Sequence, residues 1–175
     1  MDRILKPNPV KLIFGFIFKE QEPLNLAKNL LNKRFGAIDF VSPVFPFDYT
    51  RYYEKEFGQE LRRLFVSFKK LISPEELSKI KVFSNKIEKK LSKGSKRSIN
   101  IDPGYIDMAK LILASTKDYS HRIYLGNGIF AEITLVFEGS SYKPWPWTYP
   151  DYGSEEYISI FNKIRGIYAA QIKNI

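Results

Sequence analysis

Apolar and polar positions along this chain fall into periods that predict most of its elements. Val10 to Phe18 is the most apolar stretch. Val10, Leu12, Phe14, Phe16 and Phe18 share one face of an extended segment, while Ile13, Gly15 and Ile17 share the other with Lys11. Two mostly apolar faces predict a central strand covered on both sides. Pro23 suits the first turn of a helix and Gly36 the position just past its end. Leu24, Ala27, Leu30, Leu31 and Phe35 give that helix its buried stripe. Ala37 to Val44 predicts a second strand, limited by Pro43 and Pro46.

Tyr52 to Ile72 carries two patterns. Leu61, Leu64, Phe65, Phe68, Leu71 and Ile72 fit helical spacing, whereas Gly58 between two aromatic-rich runs fits a hairpin. Phe65, Val66 and Phe68 favour strand, so the hairpin is the expectation. On its first strand Glu54 and Glu56 share a face. Ser73-Pro74-Glu75-Glu76 has the form of a capping box. It predicts a helix ending at Gly94, with Leu77, Ile80, Ile87 and Leu91 on one side and Lys79, Lys86, Lys90 and Lys93 opposite. Ser98 to Tyr105 reads as a strand ending in the turn Asp102-Pro103-Gly104. Lys110 to Thr116 is a short apolar element of either type. Gly126-Asn127-Gly128 predicts a hairpin between Ile123–Leu125 and Ile129–Phe137, and Glu155 to Ile172 a final helix capped by Ser154. The resulting fold class is α+β: a mainly antiparallel sheet, with a ferredoxin-like βαββαβ core and an added C-terminal hairpin and helix. That architecture hosts many functions and selects none.

Composition narrows the chemistry. A chain of 175 residues with 44% hydrophobic and 27% charged residues is expected to form a single domain over residues 1–175. With no cysteine, disulfides and thiolate sites are excluded, and with one histidine, so is any site needing two. No run approaches the roughly 20 apolar residues of a membrane span. The start lacks a small-residue cleavage site before patterned sequence begins, so no signal peptide and a cytoplasmic location are expected. Charge is localised. Arg62 to Arg97 holds twelve basic residues against three glutamates and so matches the whole formal excess of +9. Such a segment attracts phosphates, although lysine on a solvated helix face is also ordinary.

Three groups of side chains carry candidate chemistry. Asp48, Glu54, Glu56, Asp102, Glu132 and Asp151 are carboxylates suited to a hard cation such as magnesium, or to dividing acid and base roles. His121 lies with Lys117, Ser120, Arg122 and Tyr124. An imidazole there moves protons, and the two cations neutralise a phosphate or carboxylate. Tyr142, Trp145, Trp147, Tyr149 and Tyr152, punctuated by three prolines, offer rings on which a base stacks or which close over one end of the sheet.

Asp48-Tyr49-Thr50 and Thr148-Tyr149-Pro150-Asp151-Tyr152 are unusual loop strings. Through them the chain resembles a family of small bacterial and archaeal proteins, the domain of unknown function 4416, over Val10 to about Gln171. The resemblance implies no established activity. Labels attached to such proteins sometimes read GTP-binding, but a phosphate loop needs G-x-x-x-x-G-K-[ST], and Gly94-Ser95-Lys96-Arg97-Ser98 lacks the paired glycines. Asn85-Lys86-Ile87-Glu88 lies within a helical pattern and ends in glutamate where a guanine-reading string ends in aspartate.

The leading expectation is a protein binding a phosphorylated ligand, either a nucleotide or nucleic acid, through Asp48, Thr50, Arg97, Lys117, Arg122, Glu132, Trp147 and Tyr149. The alternatives are a metal-assisted hydrolase or phosphoesterase with His121, Asp102 and Asp151 as catalytic groups, and a non-enzymatic interaction protein. All require chain segments far apart in sequence to meet in one cleft.

Overall fold

Unbroken burial of Lys11–Phe18 (β1) puts this strand at the centre of the sheet, as its two apolar faces require. In the computed structural model, which describes residues 3–173, the chain continues through α1 (Gln21–Phe35), β2 (Ile38–Val41), β3 (Phe45–Pro46), α2 (Glu54–Phe57) and β4 (Arg62–Phe68). A 3-10 turn at Pro74–Glu76 leads into α3 (Leu77–Lys90), followed by β5 (Ile99–Ile106), β6 (Lys110–Ser115), β7 (Arg122–Gly126), β8 (Ile129–Glu138), β9 (Ser141–Pro144) and α4 (Glu155–Ile172). Met1, Asp2, Asn174 and Ile175, the ends of the expected 1–175 domain, lie outside the described residues.

The sheet order is β2-β4-β1-β5-β6-β8-β7, with β3 paired to β4 and β9 to β8. Every pairing is antiparallel. The first four strands are the split βαβ arrangement of a ferredoxin-like sandwich, and the remaining strands widen it. Helices α1 and α3 cover the face carrying Leu12, Phe14, Phe16 and Phe18. Helix α4 covers the other face through Tyr157, Phe161 and Ile164, packed on Ile13, Phe65 and Leu135. The capping box at Ser73 forms, with Glu76 reaching back to the Ser73 N–H, and Ser154 accepts from the Tyr157 N–H to start α4.

Three expectations need correction. The segment before Gly58 is the single helical turn α2, not the first strand of a hairpin. Gly58, at φ +79, ends that turn, and Phe57 packs against Ile17, Phe47 and Leu61 instead of pairing with β4. Strand β4 takes its partners from β1, β2 and β3, so only the second half of the hairpin is strand, and Glu54 and Glu56 share no strand face. Asp102-Pro103-Gly104 is not a turn. It lies inside β5, where Asp102 is opposite Gly15 of β1. The turn comes later, at Asp107, whose Oδ1 accepts the N–H groups of Ala109 and Lys110. Helix α3 stops at Lys90, short of Gly94, which at φ +62 serves the tight turn between Lys93 and Lys96.

Strands β5 and β6 pair only at Gly104–Ile106 against Leu111–Leu113. Toward its N-terminus β5 stays with β1, while β6 runs on with β8. Pro103 has no N–H to offer a neighbouring strand, which suits the point where pairing stops. The sheet therefore forks. Gly104 stands at the crotch, where a Cβ would overlap the Ile112 carbonyl oxygen and lie 2.8 Å from Leu113 Cδ2. Replacing Gly104 by Ala is expected to cost about 1–3 kcal/mol, read as a lower denaturant midpoint. An unchanged midpoint would show that the strands do not approach this closely.

Candidate functional site

A cleft of about 510 Å³ opens where the strands diverge. Its floor is built on Arg63, a charged residue inside an otherwise buried strand and only 2% exposed. Gly15 of the neighbouring strand makes room for it: a Cβ there would be 3.1 Å from both Arg63 Nη1 and Tyr152 Oη. Arg63 Nη2 donates to Asp151 Oδ2 at 2.8 Å and Nη1 to Asp102 Oδ2 at 3.3 Å. The guanidinium carbon lies 5.1 Å from the Phe47 ring centroid and 5.3 Å from those of Phe65 and Tyr152. Burial alone would lower its pKa, but Tyr152, Asp151 and Asp102 outweigh burial and hold it above the ordinary value, so the charge persists. Arg63 Nε and Tyr152 Oη are buried with no hydrogen-bond partner among the described residues.

Helix α3 supplies the next layer. Lys81 Nζ donates to the Ile101 carbonyl at 3.0 Å and lies 3.7 Å from Asp102 Oδ1. Asn100 Nδ2 donates to Asp102 Oδ2 at 2.8 Å. Glu88 accepts the Ile101 N–H at 2.6 Å and Arg97 Nη1 at 3.4 Å. Burial pushes the Glu88 carboxyl above the usual carboxylate range, with Lys81 and the Ile101 N–H opposing. Arg97 Nε donates to Glu56 Oε2 at 2.6 Å, and its Nη1 to Asn100 Oδ1 at 3.0 Å.

The opposite wall comes from β6, β8 and the segment before β7. Arg122 donates through Nε to Glu132 Oε2 at 2.9 Å, and through Nη1 to Ser115 Oγ and the Lys117 carbonyl, each at 3.0 Å. Glu132 also lies 2.9 Å from His121 Nε2, which must be the donor because a carboxylate only accepts, and takes Thr134 Oγ1 at 3.2 Å. The rim is aromatic: Tyr49, Tyr52, Tyr119 and Tyr149 line the cleft and are 41%, 61%, 45% and 44% exposed. Lys117 Nζ sits 4.7 Å over the Tyr52 ring.

Of the residues singled out from sequence, Thr50, Arg97, Asp102, Lys117, Arg122, Glu132, Tyr149 and Asp151 line this cleft. His121 stands behind Glu132, stacked at 5.3 Å on Trp147, which stacks in turn at 5.1 Å on Trp145. Trp147 donates its Nε1 to the Ile133 carbonyl and does not line the cleft. Asp48 is exposed and outside the lining. Asp102, Asp151, Glu132 and Glu88 are each paired with cationic side chains. Among the described residues no three His, Cys, Asp or Glu side chains are placed to share a metal ion. The lining is one of balanced charge pairs, not of a carboxylate cluster.

Sequence reading assigns no site role to Arg63, Lys81, Glu88 or Asn100. Two signals were available: an arginine within an apolar strand, and the polar residues Lys81, Ser84 and Glu88, spaced by three and four along the inner side of α3.

No helix among the described residues is long and apolar enough to cross a membrane. No curated protein and no solved structure matches the chain. A family model does match, over residues 8–168, and it spans every element from β1 through most of α4. The chain thus belongs to the family described as Domain of unknown function (DUF4416).

Proposed function

We propose that the cleft binds a small phosphorylated ligand bearing an aromatic ring, a nucleotide in class. Its volume lies within the roughly 300–1,000 Å³ typical of small-molecule sites. One observation carries the reading. Arg63, Lys81, Arg97 and Arg122 are all ion-paired within the protein, whereas Lys117, among the described residues, is in no ion pair and stands on a tyrosine rim. An unpaired ammonium at the mouth is the group available to a phosphate. Half-exposed tyrosines beside it present faces for a base, and Asn100 and Asp102 deeper in offer donors and acceptors to polar edges or sugar hydroxyls.

Calorimetric titration with adenine and guanine mono-, di- and triphosphates at two salt concentrations tests this. Saturable binding that weakens with salt is expected. Lys117→Ala is expected to lower affinity at least about tenfold, the loss of one charge-assisted contact. Because Lys117 is exposed, the fold should be unaffected. Absence of binding by every nucleotide, or equal affinity in the variant, would remove the proposal.

A further inference from the structure

Resting on that reading, we infer that the ligand is the end of a single-stranded polynucleotide whose backbone lies along the basic face leading out of the cleft at Arg97. Lys79, Lys86, Lys89 and Lys90 of α3, with Lys93 and Lys96 of the following turn, are all exposed. Among the described residues none of the six is in an ion pair. The one acidic residue of α3, Glu88, is turned inward to Ile101 and Arg97.

The row is continuous with the site. Lys93 and Lys96 bond to each other's backbone across the tight turn at Gly94, and the next residue, Arg97, lines the cleft. Lys86 has Lys89 and Lys90 three and four positions on, the spacings at which side chains on a helix are neighbours. Like charges so placed repel by about 0.2–0.5 kcal/mol per pair. A bound polyanion converts that repulsion into attraction and releases its own counterions.

Polynucleotide is favoured over an anionic membrane surface by what the face lacks. Between Tyr52 and Met108 no large apolar side chain among the described residues is exposed, so α3 has nothing to bury among acyl chains. A cleft of about 510 Å³ is of small-molecule size and far smaller than a duplex, which favours a single strand.

The test is anisotropy with labelled eight-residue oligoribonucleotides and oligodeoxyribonucleotides, measured beside a mononucleotide across a salt series. The oligomer is expected to bind at least about tenfold tighter than the mononucleotide at low salt, with a steeper dependence of about −0.7 in log–log slope per phosphate contacted. The variant Lys86→Glu, Lys89→Glu, Lys90→Glu should lose that gain and leave mononucleotide affinity within about twofold. Saturating mononucleotide should weaken oligomer binding. No gain with length alongside intact mononucleotide binding overturns this inference and leaves the nucleotide reading standing. No binding of either overturns both. Oligomer binding indifferent to mononucleotide, or retention on phosphatidylserine vesicles without oligomer binding, also overturns it. Preference for the ribo or deoxy strand identifies the source of the phosphates.

Discussion

Replacing Arg63 by Met is expected to destabilise the protein by about 3–5 kcal/mol, the cost of stripping the cation from buried carboxylates. Asp151 is the decisive partner. Its side chain is nearly inaccessible, and among the described residues its one side-chain hydrogen bond comes from Arg63 Nη2. Asp102 keeps Asn100, with Lys81 nearby, and suffers less. Such a loss is a large part of the 5–15 kcal/mol that holds a typical domain together, so the variant should unfold at a much lower denaturant concentration. Adding Asp151→Asn should recover part of the loss, because it removes the stranded charge. Two penalties that simply add would show that Arg63 and Asp151 are not coupled.

The second large effect concerns Lys11, the one cation of the central strand. Its ammonium is buried and donates to Asp39 Oδ2, and to Gln171 Oε1 of α4 at 2.7 Å. Asp39 Oδ1 accepts from Ser67 Oγ at 2.7 Å. Asp39→Asn is expected to cost about 3 kcal/mol at neutral pH, the lower end of the range for an orphaned buried charge, since Asp39 itself is partly exposed. The pH dependence follows in sign. Burial lowers the folded pKa of Lys11 below 10.5, against the pull of Asp39. Between that folded value and 10.5 the unfolded chain binds more protons, so this group makes stability rise with pH. Without Asp39 the folded value falls further and the window widens downward. The variant's deficit should therefore shrink as buffers are made alkaline. A deficit that stays constant from neutral to alkaline pH would contradict the pairing.

Both effects come from charges placed where an apolar pattern predicts none, and this marks what could be read from sequence. The β1 pattern was plain because its two apolar faces leave a strand no other place than the middle of a sheet. The cap at Ser73, the Gly126-Asn127-Gly128 hairpin and the Ser154 cap were legible because each is settled by a few neighbouring residues. The failures lie where a distant segment decides. Asp102-Pro103-Gly104 has turn chemistry but is held extended by eight residues of pairing between β5 and β1. The run before Gly58 has strand composition, yet no strand is available beside it, and Phe57 is drawn instead into a small core with Ile17 and Leu61.

The candidate site shows the same division. Loop residues with conspicuous chemistry, such as Lys117, Arg122 and Asp151, stood out as a list. Nothing local said that β5 and β6 would part after three paired residues and so bring them together. Arg63 is not legible as a site residue because the rings that surround its guanidinium include Phe47 and Tyr152, which come from distant segments. The charge excess is localised in sequence, but half of its twelve basic residues, Lys79, Lys86, Lys89, Lys90, Lys93 and Lys96, are exposed on α3 and the turn after it. Of the twelve, Arg63, Lys81 and Arg97 line the cleft.

The claim on which the functional account depends is that the fork between β5 and β6 is where a nucleotide sits. A crystal structure of the protein grown with a nucleoside diphosphate tests it directly. The account predicts density for the phosphates within hydrogen-bonding distance of Lys117 Nζ, with the base against the ring of Tyr52, Tyr49 or Tyr149. Nucleotide density at any other place on the protein, with the cleft empty, would contradict it.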